Sequence, residues 1–180
     1  VGMYVGQIAK ALGCRAVGIA GGAEKCAWAV EALGFDACVD YRDPGFFKAL
    51  KAACPDGVDV YFDNVGGQVL ETALFLMNLK GRVVCCGAVS QYDETAPTGP
   101  RNLPGLVVVK RLRMEGFIVM DFADKDAEAN EKLSGWVQSG ALKVAEDVVE
   151  GLENAPAALI GLLKGENRGK RMVRVAPDPA

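Results

Sequence analysis

A short apolar run, a glycine turn and a helical segment follow one another repeatedly along this chain, and that alternation limits its fold more than any other feature. The runs at 15–20, 37–41, 58–62 and 82–86 are nearly all apolar. A strand with one wet face alternates apolar and polar residues; strands this uniformly apolar are buried on both faces. Between them lie segments with helical spacing, at 1–12, 24–33, 46–54 and 67–79. In the first, Val5, Ile8, Ala9 and Leu12 share one face. Gly13, Gly34 and Gly81 stop three of these helices. Pro55 stops the other, because proline cannot continue a helix and biases its predecessor away from one. Strand, crossover helix and strand in this order build a parallel sheet with helices on both faces. The expected class is α/β, a doubly wound parallel sheet.

The second half repeats the pattern more loosely. Residues 90–105 are rich in Pro, Gly and Thr and read as a loop, 106–111 as a short helix and 114–119 as a strand. A helix is expected at 127–138, an extended segment at 144–149, a helix at 154–164 with Pro156 in its first turn, and a last strand at 172–175. The beginning is unusual. A doubly wound domain opens with a strand that feeds a glycine-rich turn, yet here Val1-Gly2 already stands at the turn. The expectation is a Rossmann-type sheet truncated at its N-terminus, in a sequence that is a piece of a longer protein. The alternative is a short natural protein with a rearranged sheet.

Composition removes several classes of function. The net charge of −3 comes from basic and acidic residues mixed along the chain, so no basic stripe offers itself to nucleic acid. No apolar stretch is long enough for a bilayer, and no basic leader precedes a cleavage site, which makes the cytoplasm the default location. Cys14, Cys26, Cys38, Cys54, Cys85 and Cys86 form no C-x-x-C pair and read as buried, reduced thiols. The chain has no histidine. That removes the commonest zinc ligand and the usual base of a Ser-His-Asp triad, so no metal site is expected.

The turns carry the chemistry. Gly2 and Gly6 open the first helix, where glycines let the backbone approach a pyrophosphate and the helix N-terminus supplies N–H donors; two helix-packing glycines would look the same. After the second strand of a dinucleotide fold, an NAD site carries Asp or Glu for the ribose 2′-hydroxyl. This chain has Ala20-Gly21-Gly22-Ala23-Glu24-Lys25 instead. A lysine in the first turn of a helix opposes the helix dipole, and a dianionic phosphate would reverse that sign. Lys25 therefore points to NADP(H), unless it is an ordinary lysine paired with Glu24 or Glu31. Two more turns follow strands, Asp63-Asn64-Val65-Gly66-Gly67 and Cys86-Gly87-Ala88-Val89-Ser90-Gln91-Tyr92. Ligands of open parallel sheets bind beyond such strand ends, although Asn and Gly are common turn residues in any case.

Taken in order, the series Val-Gly-Gln-Ile-Ala-Lys (5–10), Gly-Ala-Glu-Lys (22–25), Leu-Gly-Phe-Asp (33–36), Tyr-Phe-Asp-Asn-Val-Gly-Gly (61–67) and Cys-Gly-Ala-Val-Ser-Gln-Tyr (86–92) resembles the prostaglandin, alkenal and curcumin reductase group of the medium-chain dehydrogenase/reductase superfamily. Arg-Met-Glu-Gly-Phe-Ile-Val (113–119) and Leu-Lys-Gly-Glu-Asn-Arg-Gly-Lys (163–170) extend the resemblance over nearly the whole chain. It implies an NADPH-dependent, zinc-free, usually dimeric enzyme that adds hydride to the double bond of an enone or enal. By the same resemblance Gly2 belongs to the pyrophosphate loop, and Lys25 and Tyr41 hold the 2′-phosphate. Asn64 touches the cofactor; Cys86, Gly87, Ala88, Val89, Ser90, Gln91 and Tyr92 line the nicotinamide side with Phe117, Ile118 and Val119; Asn167 bonds from the C-terminal segment. Residues 1–142 would be the NADP-binding domain without its first strand, and 143–180 the returning part of a substrate domain.

Hydride addition to an enone leaves negative charge on the carbonyl oxygen, and the α-carbon then needs a proton. Tyr92 is the candidate for either polar role, since a phenol donates at neutral pH; the alternative is that it packs on the nicotinamide. Two other activities remain open: a quinone or alcohol oxidoreductase of the same superfamily, and an NADP(H)-binding remnant without catalysis.

Overall fold

The computed structural model describes residues 1–92 and 99–177. Helix α1 (Gly2–Ala11) leads to strand β1 (Val17–Ala20), helix α2 (Ala23–Glu31), strand β2 (Ala37–Asp40) and helix α3 (Phe46–Ala53). Strand β3 (Val58–Asp63), helix α4 (Gly67–Leu76), strand β4 (Met77–Cys85), helix α5 (Leu103–Lys110) and strand β5 (Arg113–Gly116) follow. Helix α6 (Asp126–Gln138) precedes a last unit of strand β6 (Glu146–Glu150), helix α7 (Ala155–Leu163) and strand β7 (Lys170–Arg174). Among the described residues no helix is long and apolar enough to cross a membrane.

Every strand pair is parallel: β1 with β2, β3 with β4, β4 with β5, and β6 with β7. The pairs form three groups, β1-β2, β3-β4-β5 and β6-β7, and no ladder joins β1 to β3 among the described residues. The expected α/β architecture is therefore present, with its parallel strands in separate groups.

Burial on both faces follows from side-chain alternation. On β2, Cys38 packs with Ala16, Ala29, Leu33 and Phe35, under α1 and α2. Its neighbour Val39 points the other way, to Phe46 and Leu50 of α3 and Val69 of α4, joined there by Val17 and Ile19 of β1. A third cluster of Leu70, Leu74, Met77, Val83 and Leu112 fills the space around β3, β4, α4 and α5. Gly6 of α1 belongs to this packing, because a Cβ there would collide with the Phe35 ring. One of the two helix-opening glycines is thus a packing residue.

The sequence boundaries need four corrections. Helix α4 stops at Leu76 rather than at 79, and β4 begins directly at Met77, whose backbone is extended. Met77 is 2 % exposed, so burial in the third cluster takes it out of the helix. The ladder pairs Val58 with Met77 and Val60 with Arg82, so residues 78–81 bulge out, tied by Asn78 Nδ2 to Asp59 Oδ1 at 2.8 Å. Helix α5 starts at Leu103, inside the expected loop, with Pro104 in its first turn; of that loop, residues 93–98 lie outside the described ones. Strand β5 ends at Gly116, and Val119–Lys125 is a 3-10 turn. Of the six cysteines read as buried, only Cys26 is; Cys38, Cys54, Cys85 and Cys86 are half-buried, Cys14 is exposed, and all six thiols are free.

Candidate cofactor-binding site

Because β1 to β5 run in parallel within their groups, the turns after Ala20, Asp40, Asp63, Cys85 and Gly116 are those that follow strand carboxyl ends. The first corner is built from the tip after β1. Asp40 accepts the Arg42 N–H at 2.9 Å and also bonds the Gly22 backbone, and these bonds hold its carboxyl below the usual range. A carboxylate is therefore nearby, but it is used to fix the two glycine-flanked turns.

Lys25 Nζ donates to the Gly165 carbonyl at 2.8 Å. Glu24, the expected competitor, pairs with Arg168 at 2.6 Å instead. The Lys25 ammonium is destabilised first by burial, then by Arg42, Arg168 and Arg171, against a weaker opposing effect of Asp147, and its pKa is lowered. Tyr41 stands directly after β2 with its ring edge 3.1 Å from where a Gly21 Cβ would be. Asn167 lies on the same C-terminal strap as Gly165, its amide donating to the Gly169 carbonyl at 2.7 Å. The structure thus gathers Lys25, Tyr41 and the 165–167 strap. It adds Arg42, which the sequence reading passed over although it directly follows Tyr41.

The second corner is organised by Asp63, which is buried. Its carboxylate accepts the N–H groups of Val65 and Gly66 at 3.0 Å and the Tyr61 hydroxyl at 3.2 Å. Burial, followed by the Asp63 charge, pushes the Tyr61 phenol far up, so it stays a donor. The turn after β4 is then laced to the turn after β3. Cys86 N–H donates to Asp63 O at 2.7 Å, Val89 N–H to Asn64 O at 3.1 Å, and Ser90 Oγ to Val65 O at 2.6 Å. Gly87 lies where Asn64 and Tyr92 converge: a Cβ there would sit 2.6 Å from Asn64 Oδ1 and 3.2 Å from the Tyr92 hydroxyl. Ala88 and Gln91 border Gly66 on the same side.

Phe117 joins this corner through its N–H to Cys85 O at 3.3 Å and its ring 6.2 Å from that of Phe62. Ile118 and Val119 are exposed beyond it. Gly2 begins α1, and nothing lies within 4 Å of where its Cβ would be. A groove of about 860 Å³, lined by Phe47, Glu71, Phe75 and Arg101, lies at α3 and α4 and includes none of these residues.

Known proteins share this chain's sequence and shape. The chain is 48% identical to the NADPH-dependent curcumin reductase of Escherichia coli over 183 residues, covering 99% of the chain and 53% of that protein. It is 45% identical to bovine (Bos taurus) prostaglandin reductase 1, over 97% of the chain and 53% of that protein. The crystal structure of CurA from Vibrio vulnificus, in complex with NADPH, superposes with a TM-score of 0.93 at 42% identity, over 98% of this chain and 54% of that one. The chain spans about half the length of the curated relatives it matches. The model of the family described as zinc-binding dehydrogenase matches residues 1–135, and the chain belongs to that family.

Proposed function

We propose that this chain is the NADP(H)-binding part of a reductase that adds hydride to the carbon–carbon double bond of conjugated ketones and aldehydes. The observation that carries the cofactor reading is the first corner. The tip after β1 offers no carboxylate to a ribose 2′-hydroxyl, while Lys25 is fixed beside it without an acidic partner among the described residues. The names of the two relatives and the NADPH complex of CurA support the same cofactor and reaction class. This chain's own residues do not make a zinc site: it has no histidine, and no three His, Cys, Asp or Glu side chains come together among the described residues.

In this reading NADPH supplies the hydride. Lys25 and Tyr41 would hold its adenosine end, the α1 N-terminus at Gly2 its pyrophosphate, and Asn64, the 86–92 turn and Phe117, Ile118 and Val119 its nicotinamide end. Asn167 closes the site from the strap. Charge builds on the substrate carbonyl oxygen as hydride arrives, and one donor aimed at it contributes about 2.7–4 kcal/mol. Tyr92 suits that role, because it is 65% exposed and its hydroxyl projects beside Asn64 at Gly87. Residues 1–142 form the cofactor domain and 143–180 part of the substrate domain, in a cytoplasmic homodimer.

The test is twofold. Lys25→Ala should weaken NADPH binding about tenfold or more and leave NADH nearly unchanged; equal losses would remove the phosphate role. In the protein that carries this chain, NADPH should be consumed with an enone and not with a quinone. Binding without turnover of any electrophile would leave a cofactor-binding module, and turnover of the quinone alone would point to a quinone oxidoreductase.

A further inference from the structure

We propose that Arg42 is a second phosphate-recognising cation, and that together with Lys25 it sets the preference for a 2′-phosphorylated dinucleotide. The inference rests on reading the tip after β1 as the 2′-phosphate corner.

Arg42 is held in place from three sides. Its backbone N–H is bonded to Asp40 Oδ1 at 2.9 Å, its guanidinium carbon lies 5.7 Å from the centre of the Tyr41 ring, and Nη2 donates to the Lys164 carbonyl at 3.2 Å. Gly21 leaves it room: a Cβ there would stand 2.9 Å from Arg42 Nε and 3.0 Å from Cζ. A side chain at that tip would push the guanidinium away, so the second reason for a glycine after β1 is the arginine opposite it.

Lys25 and Arg42 grip successive carbonyls, Gly165 and Lys164, just past the end of α7. Those carbonyls have no partner within the helix, which makes them ready acceptors. They satisfy hydrogen bonds without cancelling charge. The neighbouring cations differ in this respect: Arg168 pairs with Glu24 and Arg171 with Asp147, whereas neither Lys25 nor Arg42 has an ion-pair partner among the described residues. Two fixed cations side by side repel each other, and Arg42 is the largest charge effect felt by the Lys25 ammonium; Asp147 opposes it more weakly, and Asp40 acts on Arg42 from beyond ion-pair distance. A phosphate monoester, with close to two negative charges and three acceptor oxygens, relieves that repulsion; a ribose hydroxyl does not. The guanidinium suits this role because its planar fork can bond two phosphate oxygens at once.

The experiment compares adenosine 2′,5′-bisphosphate with ADP by calorimetric titration of the protein that carries this chain and of its variants. The wild-type protein should bind the bisphosphate more tightly than ADP. Arg42→Ala should lose about tenfold in bisphosphate affinity and change ADP affinity by less than about twofold. Arg42→Lys should recover part of the loss, and the salt dependence of bisphosphate binding should become shallower in Arg42→Ala. Each variant is checked for an unchanged melting transition, and Arg42→Gln, which keeps much of the side chain, replaces Arg42→Ala if the latter melts early. Equal losses for both ligands, or no loss for either, overturn the role of Arg42. Lys25→Ala separates the two readings. If it abolishes the preference while Arg42→Ala does not, only this inference fails; if neither variant nor the wild type shows any preference, the phosphate corner itself is wrong.

Discussion

Asp63 and Asn64 are adjacent residues with opposite duties. The Asp63 carboxylate is fully engaged by Tyr61, Val65 and Gly66, and it makes the turn rigid, while the Asn64 side chain faces Gly87. Asp63→Ala would leave two backbone N–H groups and a phenol around a gap. Bonds to a charged acceptor are worth about 1.5–3 kcal/mol, so denaturant unfolding should show a loss of at least that size with unchanged m-value. A loss below about 0.5 kcal/mol would mean that the turn holds itself. The cysteines give a second test at this scale. Cys38 is pushed up to about 12 from an ordinary 9.0, first by burial and then by Cys26 beside it. A thiol raised in the folded state favours folding below its unfolded pKa, and that contribution disappears as pH climbs from about 9 toward 12. At pH 8, iodoacetamide should label exposed Cys14 well before half-buried Cys38; equally early labelling at Cys38 would contradict its raised thiol. Lys25 could be singled out in sequence as a candidate, from a cation standing where a carboxylate belongs. Arg42 could not, because nothing in its sequence position says that Gly21 leaves space opposite it.

Elements dock on one another here through a few polar staples that periodicity cannot reveal. Gln7 lies off the face of α1 that Val5, Ile8, Ala9 and Leu12 share, yet it is only 2 % exposed. Its amide imitates a strand partner for Lys143: Oε1 accepts the Lys143 N–H at 2.7 Å, and Nε2 donates to the Lys143 carbonyl at 3.1 Å. Gln7→Leu keeps the bulk but strands both backbone groups. It should cost about 1–3 kcal/mol and speed tryptic cleavage at Lys143 in the native state. Unaltered cleavage would show that other contacts hold the segment. Where local pattern and packing agree, as from α1 through β3, the sequence predicts the elements to within a few residues. Where they conflict, packing wins: Met77 continues the helical pattern of α4 but is claimed by the cluster under β4, and residues 103–105 look like loop but open α5. Most of the candidate residues could be named because they stand at or just beyond strand ends, which does not hold for Gly2 or Asn167, and the parallel topology could be inferred from uniform apolarity. The lacing of the 63–67 turn to the 86–92 turn was not readable, since it is made by backbone groups that every residue carries.

At the scale of the whole molecule, the two strand groups that frame the site share no ladder among the described residues, and within this chain side chains pack between them. The middle cluster does this: Val69 and Leu76 of α4, which follows β3, pack against Val17, Ile19 and Val39 of the β1-β2 pair and against Phe46 and Leu50 of α3. The cluster around β3 and β4 is deeper, with Leu74 at 0% exposure, and does not depend on the first pair. The two corners lie on different groups, Lys25 with β1-β2 and Asn64 with β3-β4, so the distance between them depends on the bridging cluster. Removing two buried carbons with Val69→Ala should cost about 1.5–2 kcal/mol. Hydrogen exchange should quicken in Val17–Ala20 and Ala37–Asp40 while β3, β4 and β5 keep their protection. Leu74→Ala, by contrast, should cost about 2–5 kcal/mol and lower protection everywhere. If Val69→Ala loosened all strands equally, the groups would be one cooperative unit, and the spacing of the two corners would rest on the entire core rather than on the contact of α4 with β1 and β2.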